Sequence, residues 1–197
     1  MTSPYAKVDP EQWSRKTEAL ISVYLLKMGE LVEVVHTCWE SVFESRIGAK
    51  QFRIGEHLFP KPQIMAFFLH ELIPLELASR HPGVWRGEES SADKDVVYIA
   101  DTSLSMEIKT SSHPTQIFGN RSYAQKSGTG KKSKSGYYLA INFDKVEKDG
   151  QRSKLRRIRF GWLDHDDWLG QTAATGQQAR LSPQVERGKL RLLFENR

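Results

Sequence analysis

Three residues of this sequence carry charges whose types and spacing suit phosphate chemistry: Asp95, Glu107 and Lys109. Glu107 and Lys109 are two apart, so on a β-strand they point to the same face. Asp95 opens the β-branched and aromatic run Val96-Val97-Tyr98-Ile99, which reads as a strand. Ala100-Asp101-Thr102-Ser103 reads as the turn into a second strand ending at Lys109, since Asp, Thr and Ser bond their own backbone. One hairpin thereby brings two carboxylates and an ammonium together. Two carboxylates at a strand end, with the Ile108 carbonyl as a further ligand, make a hard oxygen site suited to Mg²⁺. A metal held there polarises a phosphoryl oxygen and lowers the pKa of bound water. Lys109 would orient or deprotonate that water, or stabilise the phosphorane charge. Asp93 competes with Asp95, because residues two apart share a face; Asp95 is preferred because it adjoins the apolar run that fixes its position. The plain alternative is a solvated strand face on which Glu107 and Lys109 form an ion pair.

The elements that must position this hairpin are legible in outline. A chain of 197 residues suffices for one domain with a core, and 39% apolar against 27% charged residues excludes a disordered chain. Residues 9–47 carry apolar side chains at helical spacing, from Trp13 through Leu31 and Trp39 to Phe43, and read as a long helix or a broken pair with Gly29 at the break. Asp9 and Pro10 suit its start. A second apolar helix spans 63–79, and Pro74 should kink or split it. Its Glu71 reads as a surface residue, as a helical glutamate most often is. Tyr137 to Phe143 is apolar almost throughout and reads as a central strand, with Asp149-Gly150 as a hairpin signal before the partner strand at 158–163. Residues 189–194 read as a last strand. The expectation is an α/β single domain over 1–197: a mainly helical part, 1–80, then a mixed central sheet and a basic hairpin, 84–197.

Charge points to a polyanionic partner. The formal charge is +5, and residues 121–159 hold twelve Lys or Arg against three Asp or Glu, a bias that follows directly after the proposed site. Within it, the glycine-rich stretch from Lys126 to Gly136 offers Lys131, Lys132 and Lys134 to a phosphate backbone, or is simply a solvated linker. Asn120, Arg121, Tyr123 and Gln125 form one polar cluster, and Gln177, Gln178 and Arg180 a second. Arg pairs with guanine edges and amides with adenine edges, so both are candidates for base reading, capping or phosphate contact. Asp164-His165-Asp166-Asp167 looks like a metal cluster, but an acidic helix start is the better reading. The single Cys38, in an apolar helical stretch, excludes an internal disulfide and a cysteine zinc site. No signal peptide or membrane-length apolar run is found, so a cytoplasmic protein without membrane contact is expected.

Asp95, Glu107, Ile108 and Lys109 resemble the PD-(D/E)xK nuclease motif, with Lys94 where that superfamily often has proline, a residue that is not a ligand; the resemblance also makes the helical Glu71 a candidate helper of the metal. More narrowly, residues 93–125, with Glu107 to His113 and Gly119 to Tyr123, are similar to the ScaI family of restriction enzymes. The strand at 137–143 and Gln178-Ala179-Arg180-Leu181 fit as well. The resemblance implies a restriction-endonuclease-like fold and a Mg²⁺-dependent homodimer that cuts both strands of a short palindromic double-stranded DNA site to blunt ends. A cognate DNA methyltransferase is the expected genetic partner, because host DNA needs protection. Two other readings stand beside it: a repair or junction nuclease of the same fold, and a catalytically silent DNA-binding protein. Acids facing DNA phosphates would repel them unless a cation intervened, which argues against the silent binder.

Overall fold

The computed structural model describes residues 2–126, 128, 131–173 and 175–196. Its spine is β5, Gly136–Phe143, buried along its whole length. Alternate residues serve opposite faces. Tyr137, Leu139, Ile141 and Phe143 join the large core beneath the helices, whereas Tyr138 and Ala140 join a second core on the other side. A strand covered on both faces needs an apolar residue at nearly every position, which is why this run lacks alternation.

Around β5 stand β1 (Trp85–Gly87), β2 (Val96–Tyr98), β3 (Met106–Ser111), β6 (Leu155–Leu163) and β9 (Leu190–Glu195), in the order β1-β2-β3-β5-β6-β9. The sheet is mixed: β3 runs parallel to β5, and the other neighbours are antiparallel. The hairpin expected at 95–109 is present as β2 and β3, with Val96 opposite Met106. Asp101 caps the short helical turn Thr102–Leu104 between them by accepting from the Ser103 amide at 2.9 Å. A second sheet, β4 (Phe118–Asn120), β8 (Gln178–Leu181) and β7 (Trp168–Gly170), covers the other face through Tyr123, Trp168, Ala179 and Leu181.

The helical part is α1 (Trp13–Ser22), α2 (Met28–Glu44) and α3 (Pro62–Arg80). The helical pair does break, but at 23–27, and Gly29 lies inside α2. The connection is anchored by Tyr24, whose phenol donates to the Leu104 carbonyl at 2.6 Å and whose ring lies 4.5 Å from Tyr137 and 4.8 Å from Phe160. An aromatic side chain seated in the core, not a glycine, sets the break. Pro74 does not split α3, which runs on to Arg80 with Pro74 buried. A fourth helix, α4 (Pro183–Lys189), begins at Ser182-Pro183, a pair that also suits a turn. Ser182 accepts from the Val185 amide at 3.2 Å and Pro183 holds the first helical position, so the same two residues that suit a turn start a helix. The Lys189 carbonyl then passes so close to β6 that a Cβ at Gly161 would lie 1.9 Å from it. Among the described residues no helix is long and apolar enough to cross a membrane.

Candidate active site

Met106 and Ile108 of β3 sink into the helical core, which forces Glu107 and Lys109 to the opposite face. There Lys109 Nζ donates to Glu107 Oε1 at 2.8 Å and to the Ile108 carbonyl at 3.1 Å. Asp95, at the entry to β2, accepts from the Ile108 amide through Oδ2 at 2.7 Å. The three residues singled out by type and spacing are therefore brought together, and the plain alternative of a solvated face fails because Glu107 is only 2% exposed. Two further groups close on them. The Tyr123 phenol, buried on the turn Arg121–Ala124, donates to Glu107 Oε1. Lys132 Nζ lies 2.9 Å from Asp95 Oδ1, 3.2 Å from Glu107 Oε2 and 3.0 Å from Glu88 Oε2.

Burial works against the Glu107 charge, but Lys109, Lys132 and Lys94 overcome it and hold the carboxyl well below the usual range. The same balance runs the other way for Lys132: burial disfavours its charge, and Glu107 and Asp95 hold the ammonium above its ordinary value. Lys94, whose Nζ donates to the Ser133 carbonyl at 3.0 Å, is pushed down by burial to about 8. Burial, reinforced by Glu107, raises the Tyr123 phenol, so it stays a donor. One polar atom is left over. Glu107 Oε2 is buried and makes no hydrogen bond, its contact with Lys132 being electrostatic only.

That orphaned oxygen tests whether the residues fit a divalent cation, and they do. Lys132 meets this oxygen at 3.2 Å without a hydrogen bond, so a cation that coordinates oxygen directly would satisfy it better. Glu107 and Asp95 with the Ile108 carbonyl form a sparse oxygen set. Among the described residues there is no group of three or more His, Cys, Asp or Glu able to form a full cage. Mg²⁺ suits sparse sets, because it binds through one or two carboxylates and keeps waters and substrate phosphate as its other ligands.

Other residues of the sequence reading fall in different places. Asp93 is engaged in a turn, accepting from Arg86 Nη1 at 3.0 Å and from the Glu89 and Ser90 amides at 3.1 Å, so it does not replace Asp95. Glu71 is exposed on α3, and the residue beside it, His70, is the one that reaches the site, with Nδ1 3.5 Å from Asp95 Oδ2. Burial lowers the His70 pKa while Asp95 opposes the shift. Nothing in the sequence pattern marked His70 beyond a titratable residue next to the buried Leu69. Tyr123 and Lys132, read as DNA contacts, lie in the site itself. Lys134 Nζ stands 4.3 Å from the Tyr123 ring centre, whereas Lys131 and Gln125 are exposed.

The two polar clusters, far apart in the chain, meet on the second sheet. Asn120 pairs with Gln178 and Phe118 with Arg180, and Asn120, Gln177, Gln178 and Arg180 are all exposed. Arg121 differs: its backbone amide donates to the Gln177 carbonyl at 2.7 Å and its guanidinium to the Ala173 and Gly176 carbonyls, tying down the neighbouring loop. A groove of about 850 Å³ along this face is lined by Gln116, Leu169, Gln171, Gln178 and Arg180. A second hollow, about 510 Å³, shares Phe118 and Gln178 with it and reaches the end of β3 at Thr110 and Ser111. The acidic run 164–167 is a capping box, with the Asp164 amide donating to Asp167 Oδ2 at 2.7 Å, in line with the structural reading.

Comparison with known proteins adds an independent finding. A profile of the ScaI restriction endonuclease family matches residues 3–194. The type II restriction enzyme ScaI of Streptomyces caespitosus is 48% identical over 190 residues, which cover 95% of this chain and 83% of that protein. No solved structure matches.

Proposed function

The chain belongs to the ScaI restriction endonuclease family and is a type II restriction endonuclease, and on that premise we propose that Asp95, Glu107 and Lys109 cleave double-stranded DNA at a short palindrome. The observation that carries this reading is the unbonded, buried Oε2 of Glu107 beside Asp95. Asp95, Glu107 and the Ile108 carbonyl would hold Mg²⁺. When bound, the metal supplies a polarised phosphoryl oxygen and a water of lowered pKa. The chain's own groups do the rest. Tyr123 and Lys109 both bond Glu107 Oε1, which leaves Oε2 available to hold a cation. Lys109 holds its ammonium beside that position, where it orients the attacking water or stabilises charge on the phosphorus oxygens. Asn120, Gln178 and Arg180 present amide and guanidinium donors from an ordered sheet, the chemistry of base-edge reading. Lys131 and Lys134 offer contacts to the phosphate backbone.

One active site cuts one strand, so cutting both at a palindrome calls for two copies on a two-fold axis, most simply a homodimer. Blunt ends and a cognate DNA methyltransferase belong to the same reading. The test is digestion of plasmid DNA with Mg²⁺, followed by sequencing of the ends. Discrete fragments with blunt ends at one palindrome are expected, and none from a Glu107→Gln protein. A ladder without common ends would defeat the site-specific reading.

A further inference from the structure

We propose that Lys132 is a second active-site lysine that stands in for the metal in the free enzyme, and that metal loading transfers its ammonium to DNA phosphate. This rests on the reading of Asp95 and Glu107 as the cation site. Lys132 reaches Glu88 and Asp95, at the two ends of the connection between β1 and β2, and Glu107 on β3, so its ammonium occupies the point where their charges converge. The contact leaves Glu107 Oε2 without a hydrogen bond, whereas Asp95 Oδ1 receives a proper one at 2.9 Å. A monocation therefore fills the position without a hydrogen bond to Glu107 Oε2, and an ion that coordinates oxygen directly would do better.

The chain around Lys132 allows exchange. The backbone is pinned immediately after it: Lys94 Nζ donates to the Ser133 carbonyl, and the Tyr138 phenol to the Lys134 carbonyl at 2.6 Å. Gly136, at φ +145°, leaves room for Lys94, since a Cβ there would lie 2.7 Å from Lys94 Cε. Lys132 thus hangs from an anchored backbone on a four-carbon stem whose bonds rotate once its ion pairs are exchanged for others. A divalent ion between Asp95 and Glu107 would repel an ammonium at this range, and the segment's flanking lysines point to a polyanion as its destination. Metal and DNA then bind with positive coupling, because each favours the displaced lysine.

The test compares wild type, Lys132→Met, Lys132→Gln, Lys132→Arg, Lys131→Met and Glu107→Gln. Mn²⁺, which takes the same octahedral oxygen ligands as Mg²⁺, is titrated into each DNA-free protein and the free ion read by paramagnetic resonance. Lys132→Met and Lys132→Gln should bind Mn²⁺ about tenfold more tightly than wild type, because an internal competitor is gone. Lys132→Arg and Lys131→Met should stay near wild type, the latter controlling for net charge. Binding to poly(dA)·poly(dT), which contains no palindrome to cut, gives the second readout. With Mn²⁺ present, Lys132→Met should reduce the slope of log affinity against log salt by about 0.9, one phosphate contact, and in chelator it should leave the slope unchanged. If Lys132→Met binds Mn²⁺ no more tightly than Lys131→Met while Glu107→Gln loses it, the stand-in role is wrong and the cation site survives. If Glu107→Gln also binds as wild type does, the cation site itself is wrong and the inference falls with it.

Discussion

Two clusters in this protein have nearly the same composition and opposite characters. At one, Asp164 and Asp167 meet Lys189; at the other, Asp95 and Glu107 meet Lys109 and Lys132. All of the first cluster's charges are answered. Asp164 accepts from Ser3 Oγ at 2.6 Å and Trp162 Nε1 at 3.1 Å, while Asp167 accepts from Lys189 Nζ at 2.8 Å and 2.9 Å. Lys189 is further enclosed by the rings of Tyr5 and Trp13, at 4.4 Å and 4.7 Å. The second cluster surrounds its acids with lysines and still leaves Glu107 Oε2 unbonded. A count of buried acids does not separate a structural cluster from a chemical one. What separates them is whether every carboxylate oxygen has a hydrogen-bond donor, because a buried oxygen left without one is available to a metal or a water.

This contrast can be broken most forcefully at Glu107. Glu107→Gln should lower cleavage roughly 10⁴-fold, about 5 kcal/mol of transition-state stabilisation, with a smaller loss of thermal stability than any change at Lys189. Single-turnover rates beside melting curves check both halves, and retained activity would move the chemistry elsewhere. Lys189→Met is the mirror experiment. Removing one partner of a buried ion pair leaves uncompensated charge, so stability should fall by about 3–5 kcal/mol in denaturant titration while activity per folded molecule is kept. Loss of activity without loss of stability would make the first cluster functional too.

A subtler probe is Tyr123→Phe, which removes the phenolic donor to Glu107 and keeps the ring beside Lys109 and Lys134. Groups that orient a metal ligand typically contribute about 10–100-fold in metal affinity or activity. The expected loss lies in that range and should appear equally in Mn²⁺ affinity; a fall in DNA affinity alone would return Tyr123 to the interface with DNA. The smallest effect is expected at Cys38, outside both clusters, whose thiol burial pushes up to about 12. The native state then keeps this proton while the unfolded chain loses it, so stability falls as pH rises from the ordinary thiol value toward 12. The melting-temperature difference between wild type and Cys38→Ala should therefore shift against wild type between pH ~9 and ~11. A pH-independent difference would show that Cys38 does not ionise in either state over that range.

Local pattern alone determined the hairpin, the shared face of Glu107 and Lys109 and the central strand at 137–143. Each depends on period-two geometry or on continuous burial, and both are written in consecutive residues. The same is true of the capped acidic turn at Asp164, whose cap and partner are three residues apart. Long-range packing decided the rest. The helix break follows Tyr24 to a carbonyl 80 residues away, and Asn120 meets Gln178 only because the second sheet folds β8 against β4. His70 and Lys132 enter the site from a helix and a glycine-rich segment that carry no signal of it. Buried charge is an interaction over distance in space, summed over every group that folding brings near, so the order of residues nominates the acids and the lysine two positions away, but not the cationic groups that fold in from elsewhere.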